Sequence, residues 1–98
     1  MKLQIKLVNL PDYHKDEITK AVTKYIDSMD RYNLIDKDSI QVHLNIENVH
    51  SKEFIMKLNV HTNKGVLNAT SKADSLLACI DNSFEKIDSQ LYKIHDKQ

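Results

Sequence analysis

The sequence has one cysteine, one glycine and one proline in 98 residues, and each scarcity excludes something. A lone cysteine, Cys79, forbids an internal disulfide and suits a reducing compartment. A lone glycine, Gly65, rules out a glycine-rich loop that cradles phosphate. With a single proline besides, there is little room for long flexible linkers. No apolar run approaches the roughly 18 residues that span a membrane. The first residues, Met1-Lys2-Leu3-Gln4-Ile5-Lys6, alternate apolar and polar and lack the apolar block of a signal peptide. The expected location is therefore cytoplasmic.

Neither sign of charge is in excess: 14 basic residues stand against 14 acidic ones. A dedicated nucleic-acid binder is usually clearly basic, so this balance speaks against strong non-specific binding to polyphosphate. It leaves room for a basic patch, because the field at a patch depends on where the charges sit. What is present fits an ordinary globular protein, with 41% hydrophobic and 29% charged residues. The length predicts one domain over residues 1–98 with one modest core.

Leu3, Ile5 and Leu7 alternate with Lys2, Gln4 and Lys6, which predicts a strand with one buried face. Asn9-Leu10-Pro11-Asp12 breaks it, and Pro11 or Asp12 opens a helix whose apolar stripe is Ile18, Val22, Tyr25, Ile26 and Met29. Asn33 to Asp38 reads as a loop. Ile40, Val42, Leu44 and Ile46 mark a second strand, and Phe54, Met56, Leu58 and Val60 a third, separated by a turn at Asn48-Val49-His50-Ser51. Asn63-Lys64-Gly65 signals a hairpin, leading into a short strand from Val66 to Thr70 with Leu67 and Ala69 inward. Leu77, Ile80, Phe84, Ile87, Leu91 and Ile94 then predict a long amphipathic helix from about Ala73 to about His95, capped by Ser71 or Asp74. The order is β-α-β-β-β-α, an α+β fold. Two one-sided helices cover one sheet face. The other face is left open and carries Lys2, Gln4, Lys6, Gln41, His43, Asn45, Lys57, Asn59, His61, Asn68 and Thr70.

That open face is polar and lysine-bearing, so it is able to meet an RNA backbone by charge and amide hydrogen bonds. It lacks the aromatic platform that stacks bases. His43 and His61 share it, yet a zinc site wants about four ligands and nothing completes this one. Asp30, Asp36 and Asp38 lack the ligand number and the glycine of a calcium loop. Cys79 has no partner cysteine and no base, and reads as a small buried thiol. No constellation for catalysis, no metal and no cofactor are expected.

The wording of the last helix carries a resemblance. Ala78-Cys79-Ile80-Asp81, Lys86-Ile87, Gln90-Leu91 and Lys93-Ile94-His95-Asp96-Lys97, with Arg31-Tyr32 and the N-terminal Met-x-Leu-x-Ile strand, resemble the ribosome hibernation promoting factor family. That family is also called the ribosome-associated inhibitor or sigma-54 modulation family. The resemblance covers nearly the whole chain. It implies a four-stranded sheet with two helices packed on one face, like a double-stranded-RNA-binding domain. It implies a non-enzymatic translation inhibitor that binds small-subunit ribosomal RNA in the decoding channel, with neither membrane nor small-molecule partner. Longer family members add a C-terminal domain that pairs ribosomes, and the sequence to Gln98 is expected to lack it.

The basic helix residues kept under this resemblance are Lys20, Lys24, Lys86, Lys93 and Lys97, the candidate RNA contacts. The chain departs from the family at Thr19 and Ser89, where basic residues stand, at Leu77, where a tyrosine stands, and at His95, where a lysine stands. The alternative is a protein-interaction or regulatory module on the same scaffold without RNA binding.

Overall fold

A computed structural model describes residues 2–29, 40–50, 52–63 and 65–96. The elements are β1 (Lys2–Val8), α1 (His14–Met29), β2 (Gln41–Val49), β3 (Glu53–Thr62), β4 (Gly65–Ala73) and α2 (Leu76–Asp96). This is the α+β order expected from the sequence.

The four strands form one sheet in the order β1-β2-β3-β4. β1 runs parallel to β2, with Leu3 opposite Val42 and Ile5 opposite Leu44. β2 and β3 are antiparallel, as are β3 and β4, so Leu44, Leu58 and Ala69 line up across three strands. Period-two alternation sends Val42, Leu44, Ile46, Met56, Leu58 and Val60 to one side, where all are buried. Ile18, Val22 and Ile26 of α1 and Cys79, Ile80, Phe84, Ile87 and Leu91 of α2 join them in a single core. Both helices therefore cover the same sheet face. β1 is an edge strand, and its inward Leu3, Ile5 and Leu7 are only partly buried. Phe84 is among the largest fully buried side chains, and truncating such a ring costs about 3–5 kcal/mol.

Both hairpin turns depend on left-handed backbone, as does the bend at Asn9 (φ 59°) after β1. His50 (φ 54°) turns β2 into β3, with Lys52 N–H donating to Val49 O at 3.1 Å. Gly65 (φ 121°) closes the β3–β4 hairpin, where a side chain would be strained. There the Thr62 hydroxyl donates to Gly65 O at 2.9 Å.

Several expectations need correction. β4 does not stop at Thr70 but pairs on to Ala73, opposite Phe54. α2 consequently starts at Leu76, and neither Ser71 nor Asp74 caps it. Ser71 is a buried strand residue. Ser75 is the cap, its Oγ accepting from Ala78 N–H at 3.2 Å while its carbonyl accepts from Cys79 N–H at 3.1 Å. The first core residue of α2 is Leu76, whereas Leu77 is 51% exposed. One residue turns a helix by roughly 100°, enough to move a side chain from core to solvent. The side chain of Met29, and the segments around Asp30, Arg31-Tyr32, Asp36 and Asp38, lie outside the described residues.

Candidate nucleic-acid interface

The helix layer carries four of the lysines singled out in the sequence: Lys20, Lys24, Lys86 and Lys93. Lys20 and Lys24 stand one turn apart on the exposed side of α1, opposite Ile18, Val22 and Ile26. Lys93 is exposed on α2. The side chain of His95, and Lys97 altogether, lie outside the described residues. These lysines do not stand alone. α1 matches Lys15, Lys20 and Lys24 with Asp16, Glu17 and Asp27. α2 sets Lys86 and Lys93 against Asp81, Glu85 and Asp88. Among the described side chains, five lysines thus stand with six carboxylates over the two helices. Lys15 is further engaged with Asp12 at 3.9 Å. At two positions where the family carries a basic residue, the hydroxyl folds back onto its own helix. Thr19 Oγ1 donates to Lys15 O at 2.7 Å, and Ser89 Oγ to Glu85 O at 3.2 Å.

Lys86 has a structural partner. Its ammonium donates to the carbonyl of Thr70, and one turn later Gln90 Nε2 donates to Asn68 O at 2.7 Å. Both carbonyls belong to β4, the outer strand of the sheet, so α2 closes that edge with two side chains. Asp81 is engaged as well, accepting from the phenol of Tyr25 on α1. The residues that carry the family resemblance in α2 therefore hold the scaffold: Asp81 ties the helices, Lys86 and Gln90 cover the edge, and Cys79, Ile87 and Leu91 fill the core.

The open sheet face is organised differently. The register sets Lys6, Asn45, Lys57 and Thr70 in one row across the strands. Gln4, His43, Asn59 and Asn68 make the next row, and Lys2, Gln41, His61 and Val66 the third. These three rows contain no carboxylate. Glu47 and Glu53 lie beyond them, towards the β2–β3 turn. Gln4, Lys6, His43, Asn45, Lys57 and Asn59 line a shallow concavity of about 370 Å³, together with Ile5 and Leu44. The rings of His43 and His61 sit 5.1 Å apart between centroids, on one face as the alternation predicts. Among the described residues no group of three or more His, Cys, Asp or Glu is placed to hold a metal. Sequence reasoning missed Val66, which is 52% exposed here, and Lys72, which the longer β4 sets opposite Ile55. Extending the β4 alternation by one step reveals Lys72.

Cys79 lies in the core, and burial pushes its thiol up from the ordinary range, against smaller opposing effects of the Ser71 hydroxyl and the Met56 backbone. Ser71 Oγ donates to Cys79 O at 2.8 Å and meets Ser83 Oγ at 2.5 Å. This buried polar cluster satisfies its own groups and presents no nucleophile to solvent. Among the described residues no helix is long and apolar enough to cross a membrane.

A family model described as sigma 54 modulation protein / S30EA ribosomal protein matches residues 4–98. Among solved structures, the Thermus thermophilus Protein Y N-terminal domain is similar with a TM-score of 0.79 and 19% identity, covering 96% of this chain and 99% of that one. A ribosomal subunit interface protein from Coxiella burnetii is similar with a TM-score of 0.63 and 20% identity, covering 96% and 97%. No curated protein matches the chain significantly. The structural likenesses show a shared fold, and the family match runs through every element from β1 to α2. The chain belongs to the sigma 54 modulation protein / S30EA ribosomal protein family.

Proposed function

We propose that this protein is a cytoplasmic, ribosome-associated inhibitor of translation that binds the small subunit's ribosomal RNA in the decoding channel. It acts by occupancy: a folded wedge lies where messenger RNA and anticodons sit, keeps idle ribosomes silent and makes no covalent change. The single observation that carries this reading is the family match over residues 4–98, which takes in the whole fold. A structural relative described as a ribosomal subunit interface protein supports it. On the helix side, Lys20, Lys24 and Lys93 supply ammonium groups for phosphate, as point charges on flexible stems, and Lys97 in the sequence beyond α2 is proposed to add another. Lys86 adds its charge beside β4 while covering that edge.

Co-sedimentation with purified small subunits across a salt series tests this. The protein is expected in the pellet at low salt and in the supernatant at high salt, because each phosphate contact adds about 0.9 to the logarithmic salt slope. Changing Lys20, Lys24 and Lys93 together to Glu is expected to weaken pelleting while circular dichroism stays unchanged. A protein that never pellets contradicts the reading.

The six described carboxylates of the helix layer favour a second reading, a protein-interaction or regulatory module that keeps the scaffold without RNA. Under that reading the helix variant fails to bind a protein partner, and binding to naked RNA is absent throughout.

A further inference from the structure

We infer that the open sheet face, centred on Lys6 and Lys57, is a second contact surface for the phosphodiester backbone of RNA, on the side of the domain opposite the helices. The inference rests on the ribosomal reading above for its biological setting, but its physical basis is separate.

Charge distribution carries it. The chain is neutral as a whole and its helices are richer in carboxylates than in lysines, so the positive side of the domain lies elsewhere. Of three consecutive cross-strand rows, the first holds Lys6 and Lys57, the second His43, and the third Lys2 and His61, without a single acidic side chain. Among the described residues Lys6 and Lys57 enter no ion pair, and both are exposed. They flank Asn45, on strands two positions apart, hence about 10 Å from each other at the backbone. The concavity between them includes the amides of Gln4, Asn45 and Asn59 and the imidazole of His43, which offer hydrogen bonds to phosphate and ribose oxygens.

The same face indicates what is recognised. Its three carboxylate-free rows hold no tyrosine, tryptophan or phenylalanine, and His43 and His61 are their only rings, so the contact is chiefly to backbone, with little regard for sequence. A wedge seated in an RNA-walled channel meets phosphate on two opposite sides, and this fold presents lysines on both.

The test compares three proteins: the unmodified chain, a sheet variant (Lys6→Glu with Lys57→Glu) and a charge-retaining control (Lys6→Arg with Lys57→Arg). Each is measured by co-sedimentation with small subunits and by fluorescence anisotropy on a labelled poly(U) RNA, both over a salt series. The sheet variant is expected to bind at least tenfold more weakly, with a salt slope shallower by roughly one to two, while the arginine control binds as the unmodified chain does. Circular dichroism and melting temperature establish that all three are folded. Unchanged affinity and slope in the sheet variant overturn the inference and leave the ribosomal reading standing. If the unmodified chain ignores subunits but binds poly(U) through Lys6 and Lys57, the inference stands and the ribosomal reading falls. Loss of pelleting with unchanged poly(U) binding assigns the face to a protein partner and overturns the RNA assignment. Absence of binding to both probes overturns it as well.

Discussion

Tyr25 on α1 donates its phenolic proton to Oδ1 of Asp81 on α2, while its ring lies flat against Phe84 with centroids 4.8 Å apart and planes 2° from parallel. One side chain thus fastens the two helices twice, by a charge-assisted hydrogen bond at the rim and by stacking over the core. The Asp81 carboxylate is also the main reason why the phenol is pushed up to about 12, with partial burial and the charges of Asp81 and Glu85 adding to it.

The helix tie makes stability depend on alkaline pH. Folding holds Tyr25 neutral, so its folded pKa lies above the unfolded value of 10. Its contribution is therefore whole below pH 10 and disappears as the pH rises through about 12. Tyr25→Phe is expected to cost about 1 kcal/mol at neutral pH, a modest figure because Asp81 is exposed to water. Urea unfolding of both proteins from pH 8 to 12 checks this, and the gap between them narrows towards the alkaline end. A gap independent of pH contradicts the assignment.

The outer edge of the sheet depends on Lys86 and Gln90. Replacing both by Ala removes the donors to Thr70 O and Asn68 O and bares a strand edge of unpaired carbonyls. The expected loss is about 1 kcal/mol per hydrogen bond at most, since water replaces each donor at this exposed edge. The larger effect expected is self-association, read as rising light scattering at protein concentrations where the unmodified chain stays monodisperse. Replacing Lys20 and Lys24 by Ala is the control, and it should leave scattering unchanged.

The buried cluster of Ser71, Ser83 and Cys79 behaves as one unit. Ser71→Ala orphans polar groups in the core and is expected to cost about 1–3 kcal/mol, whereas adding Ser83→Ala costs less than the sum of the two single changes. Cys79, buried and with its thiol pushed up, is expected to resist thiol-labelling reagents in the native protein. Its labelling rate should follow global unfolding in urea. Prompt labelling without denaturant contradicts this placement.

The fold was largely legible because Val42, Leu44, Ile46, Met56, Leu58 and Val60 alternate without interruption, and such alternation leaves one face for the core. The start of α2 was not, because Ser71-Lys72-Ala73 carries no apolar strand signal. Ser71 goes inward only because Ser83 and the Cys79 carbonyl meet it there, a partnership across 12 and 8 positions that local reading misses. For the candidate site, the sequence identified which residues face solvent but not what else they touch. Lys86 reads as a free lysine on a helix exterior until β4 is seen beneath it. Lys6 and Lys57, 51 positions apart by their numbers, share a row only through the register of three strands.

Hydroxyl-radical footprinting of small-subunit ribosomal RNA, with and without the protein, bears most directly on the ribosomal assignment. Protection confined to nucleotides lining the decoding channel, and weakened by Lys6→Glu with Lys57→Glu, is the expected result. An unaltered cleavage pattern at saturating protein, or protection only on the solvent side of the subunit, contradicts it.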